Sequence, residues 1–125
     1  MVEAPIRKLK LLSISELIET EEHCHDRALT LAGSILDCGF WLAPIATESS
    51  MLAVMDGHHR LNAAKIMGLS RVPCILMSYD TGGVVLKSWR DDILCSIKSI
   101  SRLVKNSQKY PLKTTRHLFS PPITE

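Results

Sequence analysis

The apolar positions of this chain change their period several times, and each change marks an element. Residues 7–12, RKLKLL, alternate loosely and predict a strand, and Ser13-Ile14-Ser15-Glu16 has the S-x-x-E form of a helix start, here a short turn over 14–18. Past the acidic stretch Glu19-Thr20-Glu21-Glu22, residues Leu29, Ala32 and Leu36, with Ile35 beside them, recur at helical spacing between Asp26 and Asp37. Gly39 is placed to end that helix. Residues 43–46 and the wholly apolar run 51–55 predict two short strands joined by a hairpin at Glu48-Ser49-Ser50, the second of them central in its sheet.

Asp56-Gly57 interrupts the apolar run, and residues 58–67 return to helical spacing with Leu61, Ala64 and Met67 inward, closed by Gly68. A strand over 72–77 follows. Strand, glycine turn, helix, glycine and strand in this order predict a crossover unit whose loop after residue 55 lies at a ligand-binding edge. Beyond a turn at 79–83, residues 84–87 predict a further strand. Ile93, Ile97, Ile100 and Val104 predict a helix over 91–106, with Asp91 and Asp92 at its start and Lys98, Arg102 and Lys105 in its later turns. The segment from Gln108 onward carries too much proline for a helix and shows no strand alternation. No internal repeat is visible. The expected organisation is one domain over 1–107 and a tail over 108–125.

Composition narrows the class. A chain of 125 residues suits a single domain, and 46% hydrophobic with 22% charged residues is the balance of a globular fold rather than a disordered one. Its longest uncharged run, 38–47, is too short to span a bilayer, and residues 1–10 lack the apolar centre of a secretory leader, so a cytoplasmic protein without membrane partners is expected. The four cysteines, Cys24, Cys38, Cys74 and Cys95, form no C-x-x-C pair, so reduced, mostly buried thiols are expected. His23-Cys24-His25 offers soft ligands, yet adjacent side chains on a helix diverge and no second cluster completes a shell.

The net charge of +2 hides an asymmetry: residues 1–56 hold 4 Lys/Arg against 9 Asp/Glu, and residues 87–117 hold 8 against 2. The two halves can pair across the surface, or the basic half can meet an anion such as a phosphate or a nucleotide.

The densest chemistry is Asp56-Gly57-His58-His59-Arg60, at a strand-to-helix junction. Gly57 lets backbone approach a ligand, the helix N-terminus supplies donors, and Arg60 can grip phosphate oxygens in a fork. The two imidazoles can donate to phosphate or carry a proton. Asp56 would repel a bare phosphate, so it either caps the helix or meets a metal ion or a hydroxyl. Lys113-Thr114-Thr115-Arg116-His117 is a second set of oxyanion donors, which would need Tyr110, Leu112, Leu118 and Phe119 as anchors if ordered. The close glutamates at 19, 21 and 22 read as a solvated acidic turn or as a site. Trp89 reads as core or as a ligand platform.

The stretch from Val54 to Cys74, VMDGHHRLNAAKIMGLSRVPC, resembles the ParB/sulfiredoxin superfamily, and its D-G-H-H-R form is similar to the free serine kinases within it. Two further segments match those kinases. One is Glu19-Thr20, at the position of a catalytic glutamate. The other is Tyr110 to His117, which resembles their P-x-K-T-T-R-H segment, and Trp89 falls where they place a substrate-contacting tryptophan. The box lacks the cysteine that sulfiredoxin chemistry needs. The kinases carry a larger domain between tryptophan and tail, whereas Trp89 and Thr114 are 25 residues apart here.

The resemblance implies an α+β fold, a small mixed sheet with flanking helices. It implies phosphoryl transfer from ATP or ADP, with Mg²⁺, to the hydroxyl of free L-serine, giving O-phospho-L-serine. Glu19 would act as general base and Asp56 would hold Mg²⁺ or the hydroxyl, or the two roles would be exchanged. Gly57, His58, His59 and Arg60 would bind the nucleotide, and Trp89, Lys113, Thr114, Thr115, Arg116 and His117 the amino acid or its phosphate. The rival reading is a ParB-like regulator that binds nucleotide or DNA without turnover. Nucleic acid is the less favoured partner, and the sequence leaves the oligomeric state open.

Overall fold

The computed structural model describes residues 7–41, 43–81, 83–120, 122 and 123. Residues 1–6, read above for a leader, and the last two tail residues lie outside the described ones. Six strands and three helices follow one another as β1 (Lys8–Ser13), α1 (His25–Cys38), β2 (Ile45–Glu48), β3 (Val54–Asp56), α2 (His58–Ile66), β4 (Arg71–Met77), β5 (Val84–Ser88), α3 (Ile97–Lys105) and β6 (Thr115–Phe119). A 3-10 turn, Ile14–Glu16, follows β1. The four-stranded sheet has the order β1-β4-β2-β3, and β5 and β6 form a separate ribbon. This is the mixed α+β architecture expected. No helix among the described residues is long and apolar enough to cross a membrane.

Several details differ from the sequence reading. The parallel pair is β2 with β4, and β3 runs antiparallel to β2, so β3 and β4 are not a crossover pair. β3 is an outer strand rather than a central one, and its free side is covered by Ile18, whose N–H donates to Leu52 O (2.9 Å) and whose carbonyl accepts from Val54 N (2.9 Å). The hairpin starts later than expected. Glu48 accepts from the backbone of Ser50 and Met51, and Leu52 takes a positive φ of 60°, so residues 49–53 belong to the turn.

Of the face expected inward on α1, Ala32 and Ile35 are buried, joined by Ala28, and pack on α2 through Ala63, whereas Leu29 and Leu36 stay exposed. In α2, Leu61 and Ala64 enter the main core with Leu12, Ile45, Val54, Val72 and Cys74. α3 begins at Ile97 instead of residue 91. A capping box sets that start: Ser99 N donates to Ser96 Oγ (3.0 Å) and Ser96 N to Ser99 Oγ (2.8 Å). Of the thiols, all unpaired, only Cys74 is buried, and Cys38 is exposed.

The largest departure is the tail. Thr115–Phe119 is a strand, paired antiparallel with β5 from Ser88↔Thr115 to Val84↔Phe119. Its approach is fixed by Tyr110, whose N–H donates to Thr20 O (2.8 Å), whose carbonyl accepts from Glu22 N (2.8 Å) and whose hydroxyl donates to Ser99 Oγ (2.6 Å). Phe119 packs on Ala46, Met55 and Met77, while Leu112 and Leu118 remain partly exposed.

Candidate active site

Both α1 and α2 start at one end of the sheet, and a cleft of about 320 Å³ opens there. Its lining includes Asp56, Gly57, His58, His59 and Arg60 from the end of β3 and the start of α2, and Glu21 and Thr115 from the two flanking segments. Gly57 has φ +109°, the left-handed region, and an added Cβ would sit 3.4 Å from Ile45 side-chain carbons. Glycine therefore makes the turn that aims the α2 N-terminus at the cleft. Asp56 is exposed and does not cap the helix, since Gly57 is the N-cap residue.

The two imidazoles face the protein. His58 is buried, and its Nε2 accepts from Thr20 N (3.2 Å), with Thr20 Oγ1 at 3.4 Å. A backbone N–H can only donate, so this nitrogen is unprotonated, and burial pushes the His58 pKa down to about 4. His59 Nε2 accepts from Cys24 N (3.0 Å) at the start of α1. Burial, then the Arg27 and His23 charges, lowers its pKa as well. What these two residues offer the cleft is backbone N–H at the helix start, not a pair of cations.

Glu19 and Glu21 divide. Glu19 does not line the cleft: it accepts from Asn62 Nδ2 (2.6 Å) and Lys65 Nζ (2.9 Å), with Lys109 Nζ at 3.9 Å. Burial raises its pKa, but the Asn62 hydrogen bond and the Lys65 and Lys109 charges together outweigh that and leave it below the usual carboxylate range. A carboxylate so neutralised is a weak base. The acidic side chain of this loop that does face the cleft is Glu21, which the sequence reading passed over. Its Oε1 accepts from Thr114 N (3.0 Å), Thr115 N (2.7 Å) and Thr115 Oγ1 (3.0 Å). All three of these bonds use Oε1, and among the described residues none is made to Oε2.

The K-T-T-R-H residues also divide, as alternation along β6 requires. Thr115 reaches the cleft. Thr114 is buried, with its hydroxyl donating to Pro111 O (2.7 Å). His117 Nε2 lies 2.8 Å from the Tyr79 hydroxyl, its buried Nδ1 has no partner among the described residues, and burial lowers its pKa to about 4. Arg116 and Lys113 instead stack on Trp89, 4.4 and 5.4 Å from the ring centroid, outside the cleft lining, and Trp89 is half exposed.

A second groove, about 420 Å³, runs on from the cleft along α1, sharing Leu31 and His59 with it and adding Asp26, Arg27, Thr30 and Ser34. The sequence reading missed it. The signal was present, since residues 27, 30, 31 and 34 repeat at helical spacing on one face.

No protein-family model matches the chain. It is 30% identical over 95 residues to the ATP-dependent L-serine kinase of Desulfurococcus mucosus, covering 72% of this chain and 37% of that protein. It is 31% identical over 68 residues to the ParB-like protein of Sulfolobus acidocaldarius, covering 53% of this chain and 34% of that one. The chain thus spans little more than a third of the length of these relatives. Among solved structures, a free serine kinase in complex with AMP superposes with a TM-score of 0.80 at 12% identity, over 89% of this chain and 87% of that one. The fold is that of the ParB/sulfiredoxin superfamily. Within it, the chain is similar to the free serine kinases.

Proposed function

We propose that this protein is a kinase that transfers a phosphoryl group from ATP or ADP to the hydroxyl of free L-serine, releasing O-phospho-L-serine. The observation that carries the reading is the cleft itself, whose lining brings together Glu21, Asp56 and the Gly57–Arg60 helix start. Phosphoryl transfer asks mainly for positioning and charge stabilisation, and this donor set suits it. The similarity to a relative named ATP-dependent L-serine kinase supports the same reading.

In this mechanism the backbone N–H groups at the start of α2 and the Arg60 guanidinium bind the donor phosphates, and the α1 groove seats the nucleoside. Asp56 is the carboxylate for Mg²⁺, an ion that commonly takes one or two carboxylates plus substrate phosphates. Mg²⁺ would supply charge neutralisation on the phosphates. Glu21 is the general base, in place of Glu19. The serine Oγ forms a bond to the terminal phosphorus as the bridging P–O bond to the nucleotide breaks, and the hydroxyl proton passes to Glu21 Oε2. Thr115 Oγ1, whose proton goes to Glu21 Oε1, keeps its lone pairs for the ammonium group of the amino acid. Trp89, Lys113 and Arg116 would join only if the β5–β6 ribbon shifts.

The test is incubation with ATP or ADP, Mg²⁺ and L-serine, with phosphoserine read by phosphorus NMR. Failure to phosphorylate serine or any other hydroxy amino acid with either donor rejects the proposal. The similarity to a ParB-like protein supports a second reading, a nucleotide- or DNA-binding regulator without turnover. DNA affinity that falls steeply with salt, without phosphoserine formation, would favour it.

A further inference from the structure

The two edges of the main sheet are treated differently. β3 is closed off by the Ile18 segment, whereas no described residue pairs with the outer side of β1. All four of Lys8, Leu9, Lys10 and Leu11 are exposed, with Leu9 at 69% and Leu11 at 58%. Leu9 is opposite Ile75 and Leu11 opposite Pro73, so these four apolar side chains share one sheet face. That face continues into a mostly apolar groove of about 440 Å³ lined by Leu9, Trp41, Ala43, Pro44, Pro73 and Ile75, with Arg7 also in its lining. The lysines occupy the opposite face of the same strand.

We infer that the β1 edge and the groove beside it form a docking site for an extended segment of a partner protein in which apolar and acidic residues alternate. A strand added to an open edge takes affinity from main-chain hydrogen bonds and specificity from alternate side chains. Residues opposite each other in a ladder share a face. Side chains of the added strand beside Leu9 and Leu11 therefore meet the apolar groove, and those beside Lys8 and Lys10 meet two ammonium groups.

The same geometry disfavours a second copy of this chain. β1 paired with β1 sets lysine against lysine, and a slip of one residue that avoids this turns lysines into the groove. Edge lysines are a common guard against self-pairing, which accounts for Lys8 and Lys10 but not for two exposed leucines beside a groove. The inference does not depend on the kinase reading.

The experiment uses dye-labelled peptides about eight residues long, one of alternating valine and glutamate and one of alternating valine and lysine, titrated against the whole chain by fluorescence anisotropy. The glutamate peptide is expected to bind saturably, at least about tenfold tighter than the lysine peptide, and to slow amide exchange in β1. The double variant Lys8→Glu, Lys10→Glu, both at exposed positions, should reverse the preference. A variant that misfolds binds neither peptide and loses protection in β4, and Leu9→Ser then serves instead, weakening the glutamate peptide. Absence of saturable binding, a preference that the charge reversal leaves unchanged, or protection away from β1 would overturn the inference.

Discussion

Glu21 and Thr115, 94 residues apart in sequence, are joined twice through one oxygen: Glu21 Oε1 accepts from Thr115 N at 2.7 Å and from Thr115 Oγ1 at 3.0 Å. The contact draws the acidic early loop and the basic final segment to the two sides of one cleft. It also fixes the Glu21 carboxylate, with its second oxygen bonded to no described residue.

Glu21→Gln keeps an acceptor oxygen for Thr114 and Thr115 but removes the base. Turnover should fall by about 10²–10⁴, with nucleotide affinity nearly unchanged, measured by steady-state kinetics beside nucleotide titration. Glu21→Ala additionally strands the partly buried backbone N–H groups of Thr114 and Thr115 and should lose about 1–3 kcal/mol of stability in urea denaturation.

Glu19→Ala should act on stability first. It leaves Lys65 without this acceptor and Asn62 Nδ2 with His58 O alone, at an expected cost of about 1–3 kcal/mol. The folded pKa of Glu19 lies below the ordinary 4.5, so its contribution is present above pH 4.5 and fades as pH falls through the folded value. Urea midpoints of the wild type and Glu19→Gln should therefore converge in acid. A difference that persists unchanged to the lowest pH would contradict the ion-pair account.

His58 gives a separate signature. Its folded pKa of about 4 lies below the ordinary 6.5, so the unfolded chain binds the proton more readily. Stability from neutral His58 is complete above pH 6.5 and is lost as pH falls toward 4, by on the order of 3 kcal/mol. His58→Gln should flatten that part of the pH–stability curve.

Gly57→Ala places a side chain in left-handed backbone and against Ile45. A loss of about 1–2 kcal/mol is expected, with weaker nucleotide binding because the α2 N-terminus shifts. Isothermal titration against ATP and ADP measures the second effect.

The pattern of legibility follows from what is local. The Asp56 to Arg60 box was visible because a strand, a glycine and a helix start are encoded within a few residues. The tail strand was not, since residues 115–119 earn their pairing from β5, some 30 residues earlier, and from Phe119 packing on Met55 and Met77. The choice between Glu19 and Glu21 is equally non-local. Glutamates two positions apart carry no distinguishing signal, and the assignment is made by Lys65 and Asn62 on α2 for one and by the amides of residues 114 and 115 for the other. The α3 start, by contrast, had its signal in Ser96-x-x-Ser99, which the acidic pair Asp91-Asp92 overshadowed.

Phosphorus NMR of two parallel reactions, wild type and Glu21→Gln, each with nucleotide, Mg²⁺ and L-serine, tests the central claim most directly. The predicted result is a growing phosphoserine resonance with the wild type and almost none with the variant, while nucleotide still perturbs the amide signals of Gly57 and His59 in both. No phosphoserine from the wild type, or equal rates from the two proteins, would contradict it.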